Sequence, residues 1–243
     1  MPHILVVESN PSRICDGIVR AAGSDFGTLY AGVLTALRGD VTTRITAPYE
    51  GATVPSLAGY DGVAFTGSSV DWNTDDERAA PLAALMRQVF AAGLPVIGSC
   101  NGMQLAASVL GGSTGESPQG REDGLARDIH LTAQGRCHPM MVGREAPYTA
   151  PCTHRDEVVR LPDGAVRLAG NAHSHVQAFA FETDGISFWG MQYHPEFAPA
   201  YLARYLKASG KGSDAELAML AMPETPAAAA MRTTELRNWL AQF

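Results

Sequence analysis

The chain has 243 residues, 46% hydrophobic and 18% charged, and a formal net charge of -7. That length fits one large domain or two small ones with a sizeable core, and the mildly acidic balance argues against a chain whose main task is gripping nucleic acid. Cysteines stand only at 15, 100, 137 and 152, with no CxxC pair, which argues against a disulfide scaffold and a structural zinc site. Residues 88–115 carry no charge, yet Gly93, Pro95, Gly98, Asn101, Gly102 and Gln104 break the run, so no membrane span is expected. The opening MPHILVVESNPSR has no basic segment and its apolar run stops at Glu8. A soluble, cytoplasmic protein without membrane or nucleic-acid partners is expected.

In chain order, Ile4 to Val7 is a continuous branched apolar run, the pattern of a strand buried on both faces. Leu29, Val33, Leu34 and Leu37 fall at helical spacing, with Gly39 as the stop. Residues 42–47 read as a strand closed by Pro48, and 60–66 as another that ends in Gly67-Ser68-Ser69. A helix follows over 76–92, where Leu82, Leu85, Met86, Val89 and Phe90 mark the apolar face. Residues 95–97 form a short strand and 103–110 a helix closed by Gly111-Gly112. Strand and helix alternate about four times with short links, which predicts a parallel sheet covered on both faces.

The second half changes character. Residues 113–158 read as loops and antiparallel strands decorating the sheet. Residues 176–182 and 186–192 predict a hairpin turning at Thr183-Asp184-Gly185. A helix over 201–207 precedes the Gly210-Lys211-Gly212-Ser213 break, and 210–243 form an Ala-rich helical tail. With no internal repeat, residues 1–243 read as one domain.

Chemistry concentrates in Gly98-Ser99-Cys100-Asn101-Gly102, where a strand runs straight into a helix. This is the layout of a nucleophile elbow, whose flanking glycines spare the tight turn any Cβ. At a helix N-terminus the Cys100 thiolate is favoured, and the Asn101 N–H points toward a developing oxyanion. The competing reading is a buried, inert cysteine at a glycine-rich strand end. Farther on, His194 and Glu196 are spaced i, i+2 after an apolar strand. A carboxylate there can fix the imidazole tautomer and leave the other nitrogen for the Cys100 proton. Alone, His-Pro-Glu is as readily a polar strand end.

Taken together, these segments resemble the class I glutamine amidotransferases, the Cys-His-Glu glutaminases, from Ile4 to about Leu206. The resemblance rests on Gly98-x-Cys100-x-Gly102-x-Gln104, on His194-Pro195-Glu196, on 65–69 in place of the family's oxyanion strand, and on 152–158, which is similar to its His-x-Asp-x-Val loop. It implies a flavodoxin-like, mostly parallel α/β sheet with helices on both faces plus a small antiparallel extension. It further implies that Cys100 forms a γ-glutamyl thioester, His194 moves the proton and Glu196 orients His194. Gly67, Ser68 and Asn101 would hold the oxyanion, Gln104 would touch substrate, and the backbone of His154, Arg155 and Asp156 would hold its amino-acid end. No cofactor is implied. The pattern is similar both to the glutaminase domain of GMP synthase and to free-standing members acting on γ-glutamyl peptides. Met103 stands where the family commonly has His, and Thr66 where a glycine is frequent, which predicts altered packing or pocket shape rather than lost chemistry.

The leading expectation is a glutaminase that releases ammonia for an unknown acceptor, with a separate synthetase as possible partner. The alternative is a free-standing γ-glutamyl peptide hydrolase. A non-catalytic regulatory module would not require all three of Cys100, His194 and Glu196, and a cysteine hydrolase with His directly after its elbow cysteine is disfavoured by Asn101. His173-x-His175 offers two metal ligands without a third at suggestive spacing, so no metal is expected. His130 and His138 read as loop residues, 75–77 as a helix N-terminal charge cluster, and Cys137 and Cys152 as free thiols.

Overall fold

The computed structural model describes residues 1–51 and 56–243. Strand β1 (His3–Val7) shows why an unbroken apolar run is needed there. Ile4 and Val6 join one buried cluster and Leu5 and Val7 another, because alternate side chains leave opposite faces of the sheet. Helices α1 (Ser12–Ala22) and α2 (Phe26–Leu37) follow, then β2 (Thr42–Thr46), β3 (Gly62–Phe65), α3 (Ala80–Ala91), β4 (Val96–Ser99) and α4 (Asn101–Val109). The order β2-β1-β3-β4, completed by the late strand β11 (Phe188–Met191), is all parallel. With β11 as fifth strand this is the flavodoxin order 2-1-3-4-5, in which ligands bind beyond the carboxyl ends of the strands.

One face is covered by α2 through Tyr30 and Leu34 and by the C-terminal helix α9 (Thr234–Leu240) through Leu236, Trp239 and Leu240. The other face packs on Leu82, Leu85, Met86 and Val89 of α3 and on Met103, Leu105 and Ala106 of α4. Met103 is wholly buried in this layer, so its departure from the family pattern concerns packing. Thr66 also earns its place: its hydroxyl accepts from Ser9 N at 2.9 Å and donates to the Gly67 carbonyl, tying β1 to β3 at the ends that face the site.

Residues 113–158 are more ordered than a decoration. β5 (Ser113–Glu116) pairs with β8 (Asp156–Arg160) as a separate ribbon, whereas β6 (Glu122–Leu131) and β7 (Tyr148–His154) belong to the main sheet. They continue it through β10 (Ala178–Phe181) and β9 (Val166–Gly170) in the order β11-β10-β9-β6-β7, all antiparallel. His130 therefore lies in β6, not in a loop. His138 caps a 3₁₀ turn by accepting from Met140 N. The hairpin expected over 176–192 forms, with Asp184 and Gly185 at φ 55° and 77° supplying its turn.

Between β6 and β7 lies the short helix α5 (Ala133–Cys137). After β11 come α6 (Pro199–Ala208), α7 (Asp214–Leu220) and α8 (Pro226–Arg232) ahead of α9. α1 and α6 form a third apolar cluster through Ile18, Ala22, Tyr201, Leu202 and Leu206. The tail closes tightly on β3: a Cβ at Gly62 would sit 2.9 Å from Trp239 Cζ2. No helix among the described residues is long and apolar enough to cross a membrane.

Candidate active site

Four chain segments leave the carboxyl ends of β1, β3, β4 and β11 side by side and bring together residues far apart in sequence. At the end of β4, Cys100 adopts φ 49°, ψ -106° directly before α4. A non-glycine residue with positive φ outside the αL region is strained, and such strain clusters where a side chain must be aimed. The neighbours are glycines for want of space. A Cβ at Gly98 would lie 2.7 Å from the Gly102 carbonyl carbon, and one at Gly102 would lie 2.7 Å from the Phe65 carbonyl oxygen. The thiol is 5% exposed and lies 3.8 Å from the Thr153 carbonyl, to which it can donate.

His194 and Glu196 follow β11. Nδ1 of His194 lies 2.7 Å from Glu196 Oε1, and Ser99 Oγ donates to Glu196 Oε2 at 3.0 Å. The imidazole stacks on Phe197 with centroids 4.1 Å apart and planes inclined by 4°. On its edge lies Gly67, where a Cβ would come within 2.5 Å of His194 Cε1. Tautomer, tilt and position of the ring are thus all set, and Nε2 is left buried without a hydrogen bond. Burial pulls the imidazole pKa down, but Glu196 and the Cys100 sulfur outweigh it and lift it to about 10. A protonated imidazole can deliver its Nε2 proton to a leaving group held at Cys100.

The 67–69 loop is held from β1. Glu8 is buried after the strand and accepts from Gly27 N at 2.6 Å and from Asn10 N and Nδ2 at 2.9 and 2.7 Å. Burial pushes this carboxyl up to about 7 although those donors favour its ionised form. Asn10 Oδ1 in turn accepts from Ser69 N at 2.7 Å and from Ser68 Oγ at 3.1 Å. The Ser69 amide is therefore spent, and Asn10 together with the Ser9 carbonyl, which accepts from Ser68 Oγ at 2.8 Å, holds Ser68 and Ser69 in place. None of the expectations from sequence included Asn10, because its role depends on residues 58 and 59 positions away.

A cavity of about 250 Å³ opens over Cys100, with Ser68, Asn101, Gln104, His154, Arg155 and Asp156 among its lining. Gln104 reaches it, but its Nε2 donates to the Asp156 carbonyl at 2.6 Å and to Gln192 Oε1 at 3.2 Å. Its amide N–H groups hold the loop that was expected to touch substrate. His154 is a pin of the same loop: Nδ1 lies 3.1 Å from the Asp156 carbonyl and Nε2 2.9 Å from Glu122 Oε2. Burial raises the Glu122 pKa, but His154, Asn171 and Gln177 outweigh it and hold the carboxyl below its ordinary value. Asp156 pairs with Arg155 at 2.8 Å. His173 joins the Glu122–His154 cluster, with Nδ1 3.8 Å from Glu122, whereas His175 turns away to Arg167. Arg121, Lys211 and Tyr205 also line the cavity and were not foreseen.

A strained cysteine, an imidazole with a free Nε2 and a carboxylate behind it, at the carboxyl end of a flavodoxin-order sheet, define the class: a cysteine hydrolase built on a doubly wound fold. The family follows from comparison. Residues 40–208 match the family model "Glutamine amidotransferase class-I", and the chain belongs to that family. It is 32% identical over 212 residues to a γ-glutamyl-L-1-hydroxyisopropylamide hydrolase of Pseudomonas sp., covering 82% of this chain and 71% of that protein. It is 31% identical over 195 residues to the glutamine-hydrolysing GMP synthase of Aspergillus fumigatus, covering 78% of this chain but 33% of the larger protein. A glutamine amidotransferase from Thermotoga maritima shares the fold, with a TM-score of 0.74 at 16% identity over 99% of this chain and 97% of that one.

Proposed function

We propose that this chain hydrolyses the γ-amide bond of glutamine or of a γ-glutamyl amide through a thioester on Cys100. The observation that carries the reading is the assembly of Cys100, His194 and Glu196 from separate strand ends with His194 Nε2 left without a partner. The Cys100 sulfur, its proton passed to His194 Nε2, attacks the side-chain carbonyl carbon, forming the C–S bond as the carbonyl π pair moves to oxygen. The oxyanion rests on the N–H of Asn101 at the start of α4 and on the backbone at Gly67 and Ser68. His194 gives its Nε2 proton to the amide nitrogen as the C–N bond breaks, and ammonia or an amine leaves. Water then attacks the thioester while His194 takes its proton. The C–S bond breaks, glutamate departs and the proton returns to the sulfur. Glu196 keeps Nδ1 protonated throughout, and the backbone of 154–156 holds the amino-acid end of the substrate.

The likeness to a hydrolase whose length this chain largely spans favours independent hydrolysis. A second reading, delivery of ammonia to a separate synthetase subunit, is favoured by the likeness to glutamine-hydrolysing GMP synthases, of which the chain spans only a fraction. A cytoplasmic setting fits either, since all four thiols are free. The test is mass spectrometry of products after incubation with glutamine and with γ-glutamyl dipeptides. Turnover by the purified chain supports independent hydrolysis, and turnover that needs a synthetase supports ammonia delivery. Product formation by a folded Cys100→Ala protein would overturn both.

A further inference from the structure

Two cations stand on the cavity wall beside the reacting sulfur, and the mechanism uses neither. Arg121, immediately before β6, pairs with Asp123 through Nε–Oδ2 at 2.8 Å and Nη2–Oδ1 at 3.0 Å, and its Nη2 also reaches Thr153 Oγ1 at 3.4 Å. Thr153 is the residue whose carbonyl lies 3.8 Å from Cys100 Sγ. Lys211, from the break after α6, sits over the Tyr205 ring at 5.8 Å, and among the described residues no carboxylate lies within ion-pair distance of its ammonium. Asp123, paired with Arg121, acts on Lys211 only as a longer-range charge. Burial and the Arg121 charge push the Lys211 ammonium below its ordinary pKa, while Asp123 and Cys100 oppose them more weakly. An anion bound there would relieve this excess of positive charge.

The rest of the cavity has the opposite balance. Arg155 is met by Asp156 at 2.8 Å and Glu116 at 3.4 Å and donates to the Asp71 carbonyl. That combination of one guanidinium and two carboxylates complements an amino-acid zwitterion, one cation and one anion. The glutamyl end of a substrate is such a group. Its binding leaves Arg121 and Lys211 with Asp123 as their one opposing carboxylate among the described residues, and so with a net positive charge.

We infer that Arg121 and Lys211 form a subsite for a carboxylate on the departing amine, which makes γ-glutamyl amino acids, rather than glutamine or neutral γ-glutamyl alkylamides, the favoured substrates. This rests on the reading of Cys100 as the nucleophile toward a γ-glutamyl amide. Hydrolysis of such a substrate gives glutamate and a free amino acid, with water as the only co-reactant.

γ-Glutamylalanine and γ-glutamylethylamide differ by that carboxylate alone, so their kcat/KM ratio isolates it. The wild-type chain is expected to favour γ-glutamylalanine, chiefly through KM, and Lys211→Met to lower the ratio about tenfold, the scale of one charge-assisted contact. Lys211→Arg, which keeps the charge, should restore most of it. Lys211 is chosen because Arg121 also braces Asp123 and Thr153. Cleavage of both substrates with a ratio that Lys211→Met does not move would overturn the subsite while leaving the hydrolase reading intact. An equal loss on both substrates would assign the cations to the glutamyl carboxylate and also overturn it. Cleavage of neither by the wild-type chain, or of both by Cys100→Ala, would bring down the functional reading, and the subsite with it.

Discussion

In the proposed mechanism His194 carries both proton transfers, and its ring is held by Glu196 at Nδ1, by Phe197 on a face and by Gly67 at Cε1. Its raised pKa has a consequence for pH. A group lifted from 6.5 to about 10 on folding contributes stability in full below 6.5 and loses it as pH rises through about 10. The basic limb of kcat/KM is therefore expected to fall near pH 10. In Glu196→Gln, which removes the Coulombic support, that limb should move toward neutrality. A basic limb that Glu196→Gln does not shift would separate His194 from the reaction. His194→Asn should remove about 10²–10⁴-fold of the rate, the scale of general acid–base catalysis. Gly67→Ala tests the contact at Cε1. The added methyl cannot coexist with the present imidazole, so activity should fall steeply while the circular dichroism spectrum stays native.

The elements around the site divide by how local their cause is. Cys100, Gly98 and Gly102 could be read directly, since the elbow needs only neighbouring residues, and so could β1, β4 and the hairpin of β10 and β11. Helix α1 was missed although Ile14, Ile18 and Ala22 share a face, because Asp16 and Gly17 interrupt the periodicity and no side chain caps its N-terminus. β9 has only Leu168 and Ala169 buried, too short a run to stand out. β6 and β7 do not stand out singly within a stretch read as loops and antiparallel strands, because Gly124, Asp128 and Pro151 lie within them and the pairing that makes them strands joins residues 19 to 32 positions apart. Asn10 escaped notice for the same reason. Its side chain orders the 67–69 loop, so Asn10→Ala should lower kcat about tenfold, one hydrogen bond's worth of positioning, with little change in KM. A change in KM alone would mean that the loop binds substrate rather than the oxyanion.

Across the whole molecule, the C-terminal helices grip the segment that carries His194 and Glu196 from behind. Arg144 and Glu235, 2% and 0% exposed, pair at 2.5 Å, and Tyr193, the residue before His194, donates to Glu235 at 2.8 Å. Arg232 pairs with Glu224 and donates to the carbonyl of Pro195, between His194 and Glu196. The tail expected from composition as an Ala-rich helix thus holds the site through two polar contacts that no local pattern announces. Removing one partner of a buried ion pair strands the other, so Arg144→Met should destabilise the fold by about 3–5 kcal/mol in urea unfolding. Arg232→Ala leaves the core intact and should lower kcat more than stability. The proposed catalysis is covalent and runs through one cysteine among four. Its most direct test is peptide mapping after brief exposure to a diazo-ketone analogue of glutamine, with substrate protection as a control. Labelling of Cys100 that glutamine or a γ-glutamyl peptide suppresses, with Cys15, Cys137 and Cys152 spared, is the predicted result; equal labelling of all four, or a Cys100 that alone stays unmodified, would contradict it.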